Sequence, residues 1–198
     1  MTDQDSQPGT AREPKRIEQR GLYFDEMEEG AVYVHAPGRT VTEADNVGFT
    51  TMTMNTQSLH LDAAWSAGTE FGEPLVNSMF TLSTLVGLSV AQLTQGTIVA
   101  NLGFSEVSFP APVRHGDTLY AETLIASKRR SKSRPHQGVV EFHHTARNQD
   151  GTVVAVAKRS TLMQVSPRAL AAEGARGTGA VDPADGAVAE GPASGGAA

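Results

Sequence analysis

No cysteine occurs anywhere in the 198 residues. That absence excludes a disulfide framework, a thiolate nucleophile and any zinc site built on sulfur. There is no excess of positive charge either. The net charge is −6, whereas a nucleic-acid surface needs a basic footprint. No apolar run reaches the ~18 uninterrupted residues of a membrane span. The opening stretch "MTDQDSQPGTAREPKRIEQR" has no apolar core of the kind a secretory leader requires. A cytoplasmic location is the default expectation. No glycine-rich phosphate loop follows a strand, and the histidines and carboxylates lack metal-ligand spacing such as HExxH, so no metal is expected.

The middle of the chain carries the patterning. Residues 1–20 are polar and aperiodic, and residues 166–198 are rich in Gly, Ala and Pro with few large apolar groups. Both are expected to lack structure, because they bury too little surface to offset the ordering entropy. One domain is expected over 21–165. Its most apolar block, "PLVNSMFTLSTLVGLSVAQLT" at 74–94, predicts a long helix buried nearly all round, with Pro74 in its first turn. Before it, "AVYVHAPGRTV" reads as a strand and "TEADNVGFTTMT" as a short helix capped by Thr42. After Gly96 the period changes to two, and four strands follow, with Phe104, Val107 and Phe109 as inward candidates. "NQDG" at 148–151 predicts a hairpin turn with glycine at positive φ. The class is α+β, one helix wrapped by a curved antiparallel sheet.

Chemistry concentrates in "NTQSLHLD", residues 55–62. His60 is the one member whose unperturbed pKa lies near neutrality, which suits a general acid or base. It reads equally as a satisfied, partly buried histidine. Asn55 and Gln57 read as water-positioning amides or as turn formers, and Asp62 as the nearest replacement carboxylate or, in preference, as the N-cap of "AAWSAG". His143 and His144 are neighbours in a strand and so point to opposite faces. The first amides of the buried helix, near Asn77 and Ser78, have no intrahelical acceptor and sit at its positive end. They are candidate donors to a developing oxyanion, with the Ser78 hydroxyl beside them.

Three stretches together resemble the MaoC-like dehydratases, the (R)-specific enoyl-CoA hydratase branch of the hotdog fold. They are "TVTEADNVGFTTMTMNTQSLHLD", "GEPLVNSMFTLSTLVGLSV" and "VSFPAPVRHGDTLYAET", within a match over about 22–163. The resemblance implies a single hotdog domain and a catalytic role for His60. It also implies a homodimer or higher even oligomer. Asn55 stands where the family usually has its catalytic aspartate, Gln57 and Ser58 where it has Asn-Pro, and Asn77 and Ser78 where it has His-Gly. Those departures look most like hydratases of short branched dicarboxylic enoyl-CoAs, of the mesaconyl-, itaconyl- or methylglutaconyl-CoA type. In that setting His60 would exchange the proton of water and Asn55 would orient the water through its amide oxygen. Gln57, Asn77 and Ser78 would face the acyl group. The basic run "SKRRSKSRPHQG" offers Arg130, Lys132 and Arg134 to the phosphates of coenzyme A, which enters as part of the substrate and not as a separate cofactor. Alternation would put the three on one face. They read equally as a solvated strand end, and Arg134 as the partner of a distal carboxylate. Two other functions remain open at this point: a hotdog thioesterase, although residues 74–94 hold no Asp or Glu, and an acyl-CoA-binding subunit without turnover.

Overall fold

The computed structural model describes residues 13–177. The chain enters through two short strands, β1 (Val32–Val34) and β2 (Arg39–Thr40), both of which pair with the later β4. Three short helices follow: α1 (Glu43–Met52), α2 (Ser58–Leu61) and α3 (Ala63–Ser66). Next come the central helix α4 (Ser78–Ser89) and a π-helical turn, Val90–Thr94. Four long strands complete the domain: β3 (Ile98–Ser108), β4 (Thr118–Arg130), β5 (Gln137–Arg147) and β6 (Val153–Gln164). The sheet runs β1-β4-β5-β6-β3, antiparallel and open, with α4 against its inner face. This is the α+β arrangement the patterning implies. Among the described residues no helix is long and apolar enough to cross a membrane.

Local rules account for several ends. Thr42 caps α1 with a full capping box, its hydroxyl accepting from the Asp45 amide while the Asp45 carboxylate accepts from the Thr42 amide. Asp62 caps α3 by accepting the Trp65 amide at 2.9 Å. Asn148 accepts two loop amides at the 148–151 turn, where Gly151 has φ 78°.

α4 begins later than its apolar pattern. Pro74 to Val76 do not enter the helix, because their backbone is engaged elsewhere. Leu75 bridges Arg114, the Leu75 amide donates to the Leu59 carbonyl at 3.0 Å, and the Val76 amide donates to Val113 at 2.9 Å. Asn77 is therefore the cap. Nor is the helix covered all round: Met79, Ser83 and Gly87 form an exposed stripe spaced by four. Phe104 and Val107, expected inward, are 39% and 37% exposed; only Phe109 packs inward. Three register shifts along β3 re-aim its side chains.

The inner face holds two apolar clusters. One gathers Val41, Val76, Leu85, Val113, Leu119 and Val154; the other gathers Phe24, Met27, Leu93, Ile125, Phe142 and Met163. Gly138 has no Cβ because the Phe24 ring occupies that space. A buried polar row runs across the inner sheet face: His35, Thr123, His144 and Arg159.

The expected unstructured tail from residue 166 is corrected at its start. Pro167–Gly177 form α5, with Leu170 and Ala169 packed on the second cluster. Asp25 accepts both the amide and the hydroxyl of Ser166, and that hydroxyl accepts the Ala169 amide, so the helix start is pinned from the N-terminal side. Residues 13–20 carry no regular structure. The rest of both expected tails, 1–12 and 178–198, lies outside the described residues.

Candidate active site

α2 is one turn long and presents His60, while the start of α4 lies across from it. Between them opens a cleft of about 320 Å³, lined by His60, Leu75, Ser78, Phe71, Phe109 and Val113 among others. Its walls are mostly apolar, which strengthens any electrostatic contact made inside it. The His60 Nδ1 lies 2.9 Å from the Leu75 carbonyl. A carbonyl only accepts, so Nδ1 carries the hydrogen, and in the neutral ring Nε2 keeps the lone pair. No described residue hydrogen-bonds that Nε2. The ring is therefore fixed in the tautomer a general base needs.

The start of α4 is equally defined. Four N-terminal amides of a helix lack intrahelical acceptors. Here the Asn77 amide donates to Asn46 Oδ1 at 2.8 Å, and the Met79 amide to Asn77 Oδ1 at 2.9 Å. The Ser78 and Phe80 amides remain at the positive end of the helix, and Ser78 lines the cleft. The amide expected near Asn77 is therefore already committed, and the Asn77 side chain is a buried cap that also donates to Thr50 at 3.3 Å.

The residues named from the sequence divide clearly. His60 and Ser78 meet in the cleft; Asn55, Gln57 and Asn77 are not in its lining. The Asn55 Oδ1 accepts the Gln57 amide at 3.0 Å in an Asx turn. That contact fixes the amide orientation and occupies part of the oxygen expected to orient water. The turn reading of Gln57 fits this contact. Arg130, Lys132 and Arg134 do not share a strand face, because β4 ends at Arg130 and the chain turns over 131–136. Arg130 donates to the Pro135 carbonyl and to Glu173 of α5. All three lie at the far end of β4 from the cleft, and none lines it. His143 and His144 do face opposite sides: His143 contacts Glu141, and His144 is fully buried. Among the described residues no group of three His, Asp or Glu stands close enough to hold a metal ion.

Sequence reasoning missed Asn46, which is wholly buried and bonded to His60, Leu75, Asn77 and His115. An asparagine in a short amphipathic helix gives no local sign of such a role.

Comparisons with known proteins bear on the family and the fold. The MaoC like domain matches residues 26–148. The mesaconyl-CoA hydratase of Haloarcula marismortui is 28% identical over 149 residues, 73% of this chain and 40% of that protein. The beta-methylmalyl-CoA dehydratase of Chloroflexus aurantiacus is 28% identical over 134 residues, 68% of this chain and 38% of that protein. The chain thus spans well under half the length of these two relatives. A conserved hypothetical protein of Mycobacterium tuberculosis with a double hotdog fold superposes with a TM-score of 0.67 at 25% identity, covering 76% of this chain and 46% of that one. The match covers α1 to α4, all of the cleft lining but Val154, and the strands up to the end of β5, and with it the chain belongs to the family of the MaoC-like domain.

Proposed function

We propose that the chain is a hydratase/dehydratase of short enoyl-CoA thioesters, acting on branched or dicarboxylic acyl groups of the mesaconyl-CoA type. The observation that carries the reading is His60, held with Nδ1–H on the Leu75 carbonyl and Nε2 unpartnered, at an apolar cleft whose other wall is the start of α4. In the hydration direction Nε2 takes a proton from water as its oxygen attacks Cβ. The thioester oxygen gains negative charge and is met by the Ser78 amide at the start of α4. The imidazolium then returns a proton to Cα on the same face, and the double bond has gained the elements of water. Asn55 stands in the turn before α2, outside the cleft lining and with its oxygen already accepting the Gln57 amide, so its part would be to orient water through the remaining lone pair of that oxygen. The relatives' names, and the resemblance of the "NTQSLHLD" and "PLVNS" stretches, support the dicarboxylic class.

Hydrolysis of the thioester has less support. Glu73, the carboxylate nearest the central helix in sequence, is ion-paired with Arg114 and lies outside the cleft lining. A homodimer fits the exposed β3 edge.

The test is mass spectrometry of the purified protein with crotonyl-, mesaconyl-, itaconyl- and 3-methylglutaconyl-CoA. A product heavier by one water, from a dicarboxylic substrate, is expected. His60→Ala should lower that rate by about 10²–10⁴-fold, the usual contribution of a positioned acid–base group. Near-wild-type hydration by His60→Ala overturns the mechanism. Release of free CoA without a hydrated product replaces the reading by a thioesterase. Binding with no turnover replaces it by an acyl-CoA-binding subunit.

A further inference from the structure

We infer that Asn46, on α1, is the positioning residue that sets the histidine base and the α4 amides as one unit. The inference rests on the hydratase reading for its kinetic consequence, but not for its structural one. Asn46 is fully buried. Its amide orientation is determined by its surroundings: Oδ1 accepts the Asn77 amide at 2.8 Å and the Thr50 hydroxyl at 3.4 Å. Nδ2 must then face the other way, where it finds three acceptors. They are the His60 carbonyl at 3.1 Å, the Leu75 carbonyl at 3.3 Å and His115 Nε2 at 3.0 Å. Every one of those groups is an acceptor, so only a side chain with two hydrogens on one end and lone pairs on the other fits.

The partners matter more than their number. The Leu75 carbonyl that Asn46 touches is the same carbonyl that takes the His60 Nδ1 hydrogen and so fixes its tautomer. The Asn77 amide that Asn46 holds is the N-cap of α4, one residue before Ser78. Asn46 thus ties the α2 turn, the 75–77 segment and the 113–117 turn to one buried point. Loss of its donor end frees the base; loss of its acceptor end frees the helix start.

Asn46→Asp separates these two functions, since it is isosteric and keeps the acceptor for Asn77 but turns an oxygen toward three acceptors. The experiment uses full-length protein labelled with ¹⁵N and reads the His60 ring in long-range ¹H–¹⁵N spectra, alongside hydration kinetics. Wild type should show the Nδ1–H tautomer. Asn46→Asp should show mixed tautomers, with kcat lowered tenfold or more and KM within threefold. If that variant does not fold, Asn46→Ser, which keeps one donor and one acceptor in a smaller side chain, should move both readouts in the same direction by a lesser amount. Thr123→Val removes buried hydrogen bonds far from the cleft and should destabilise the fold while leaving tautomer and kcat unchanged. A His60 tautomer that stays Nδ1–H in Asn46→Asp or the folded serine variant, with kcat within twofold, overturns the inference. If wild type hydrates nothing, the hydratase reading falls, and the tautomer measurement still decides the role of Asn46.

Discussion

Thr123 has one hydroxyl hydrogen and two histidines to serve. His35 Nδ1 lies 2.7 Å from Gln92 Oε1, so it donates there and its Nε2 must accept. The Thr123 hydroxyl donates to that Nε2 at 2.8 Å, and its oxygen accepts His144 Nδ1–H at 2.8 Å. This leaves His144 Nε2 as a buried lone pair and Arg159 Nη1 as a buried donor, both without a partner. Burial pushes the His144 imidazole down to about 3, and the Arg159 charge adds to the effect. Burial lowers His35 as well. An unfolded histidine binds a proton near 6.5, and the folded His144 refuses it until about 3. The unfolded chain therefore holds more protons between those values. The contribution of this residue is flat above pH ~6.5 and falls as pH drops toward ~3, by up to about 1.4 kcal/mol per pH unit. Calorimetric melting at pH 7, 6, 5 and 4 checks this. His144→Gln should be less stable at pH 7 yet show a shallower decline, and parallel curves would remove His144 as the cause. A second residue-scale prediction concerns Asn55. An aspartate there still accepts the Gln57 amide, so Asn55→Asp should melt within ~0.5 kcal/mol of wild type, as solvent-side changes without new strain usually do. Its assayed effect should be a changed ratio of crotonyl-CoA to mesaconyl-CoA hydration, and an unchanged ratio removes Asn55 from substrate choice. At this scale Thr42, Asp62 and Gly151 were legible in the sequence, since each obeys a rule spanning a few residues. Asn46 was not, because its partners lie 14, 29, 31 and 69 residues away.

The elements followed their periodicity, and departed from it where tertiary hydrogen bonds competed. The apolar run from Pro74 looks helical throughout, but the backbone of Leu75 and Val76 is claimed by residues 59, 113 and 114. The helix therefore starts where Asn77 can cap it. Asn77→Ala removes the acceptor of the Met79 amide and the donor to Thr50. A lost N-cap costs ~0.5–2 kcal/mol, and burial here places the expected loss at the upper end, read as a lower urea midpoint with an unchanged slope. The same variant should raise KM or lower kcat through the Ser78 amide. A normal urea midpoint would mean that the Asn46 contact alone holds the helix start. α5 was missed for a different reason. Averaged over 166–198 the composition is that of a disordered tail, yet Leu170 and a serine cap held by Asp25 suffice to dock its first turns.

The sheet as a whole ends in two unequal edges. β1 is three residues long, a poor template for association, and β2 adds only two. β3 is eleven residues long, pairs only with β6 among the described residues, and leaves Val99, Leu102, Phe104 and Val107 between 37% and 53% exposed. The sequence signalled β3 but not its facing, because alternation fails across three register shifts and a glycine at φ 136°. Phe104 and Val107 looked like core from the sequence and are core only if another surface covers them. A long apolar edge left in water is an aggregation hazard, so folded proteins pair or cover it. A second copy of this chain, presenting the same edge, is one surface of matching length and character. Sedimentation should therefore return about twice the 20.9 kDa chain mass at micromolar concentration. Phe104→Lys combined with Val107→Lys adds two like charges to each facing edge, and should yield a folded monomer, with weaker hydration if pairing completes the site. A double variant that sediments as wild type places the association elsewhere. A monomer with full activity shows that the cleft of a single chain is sufficient.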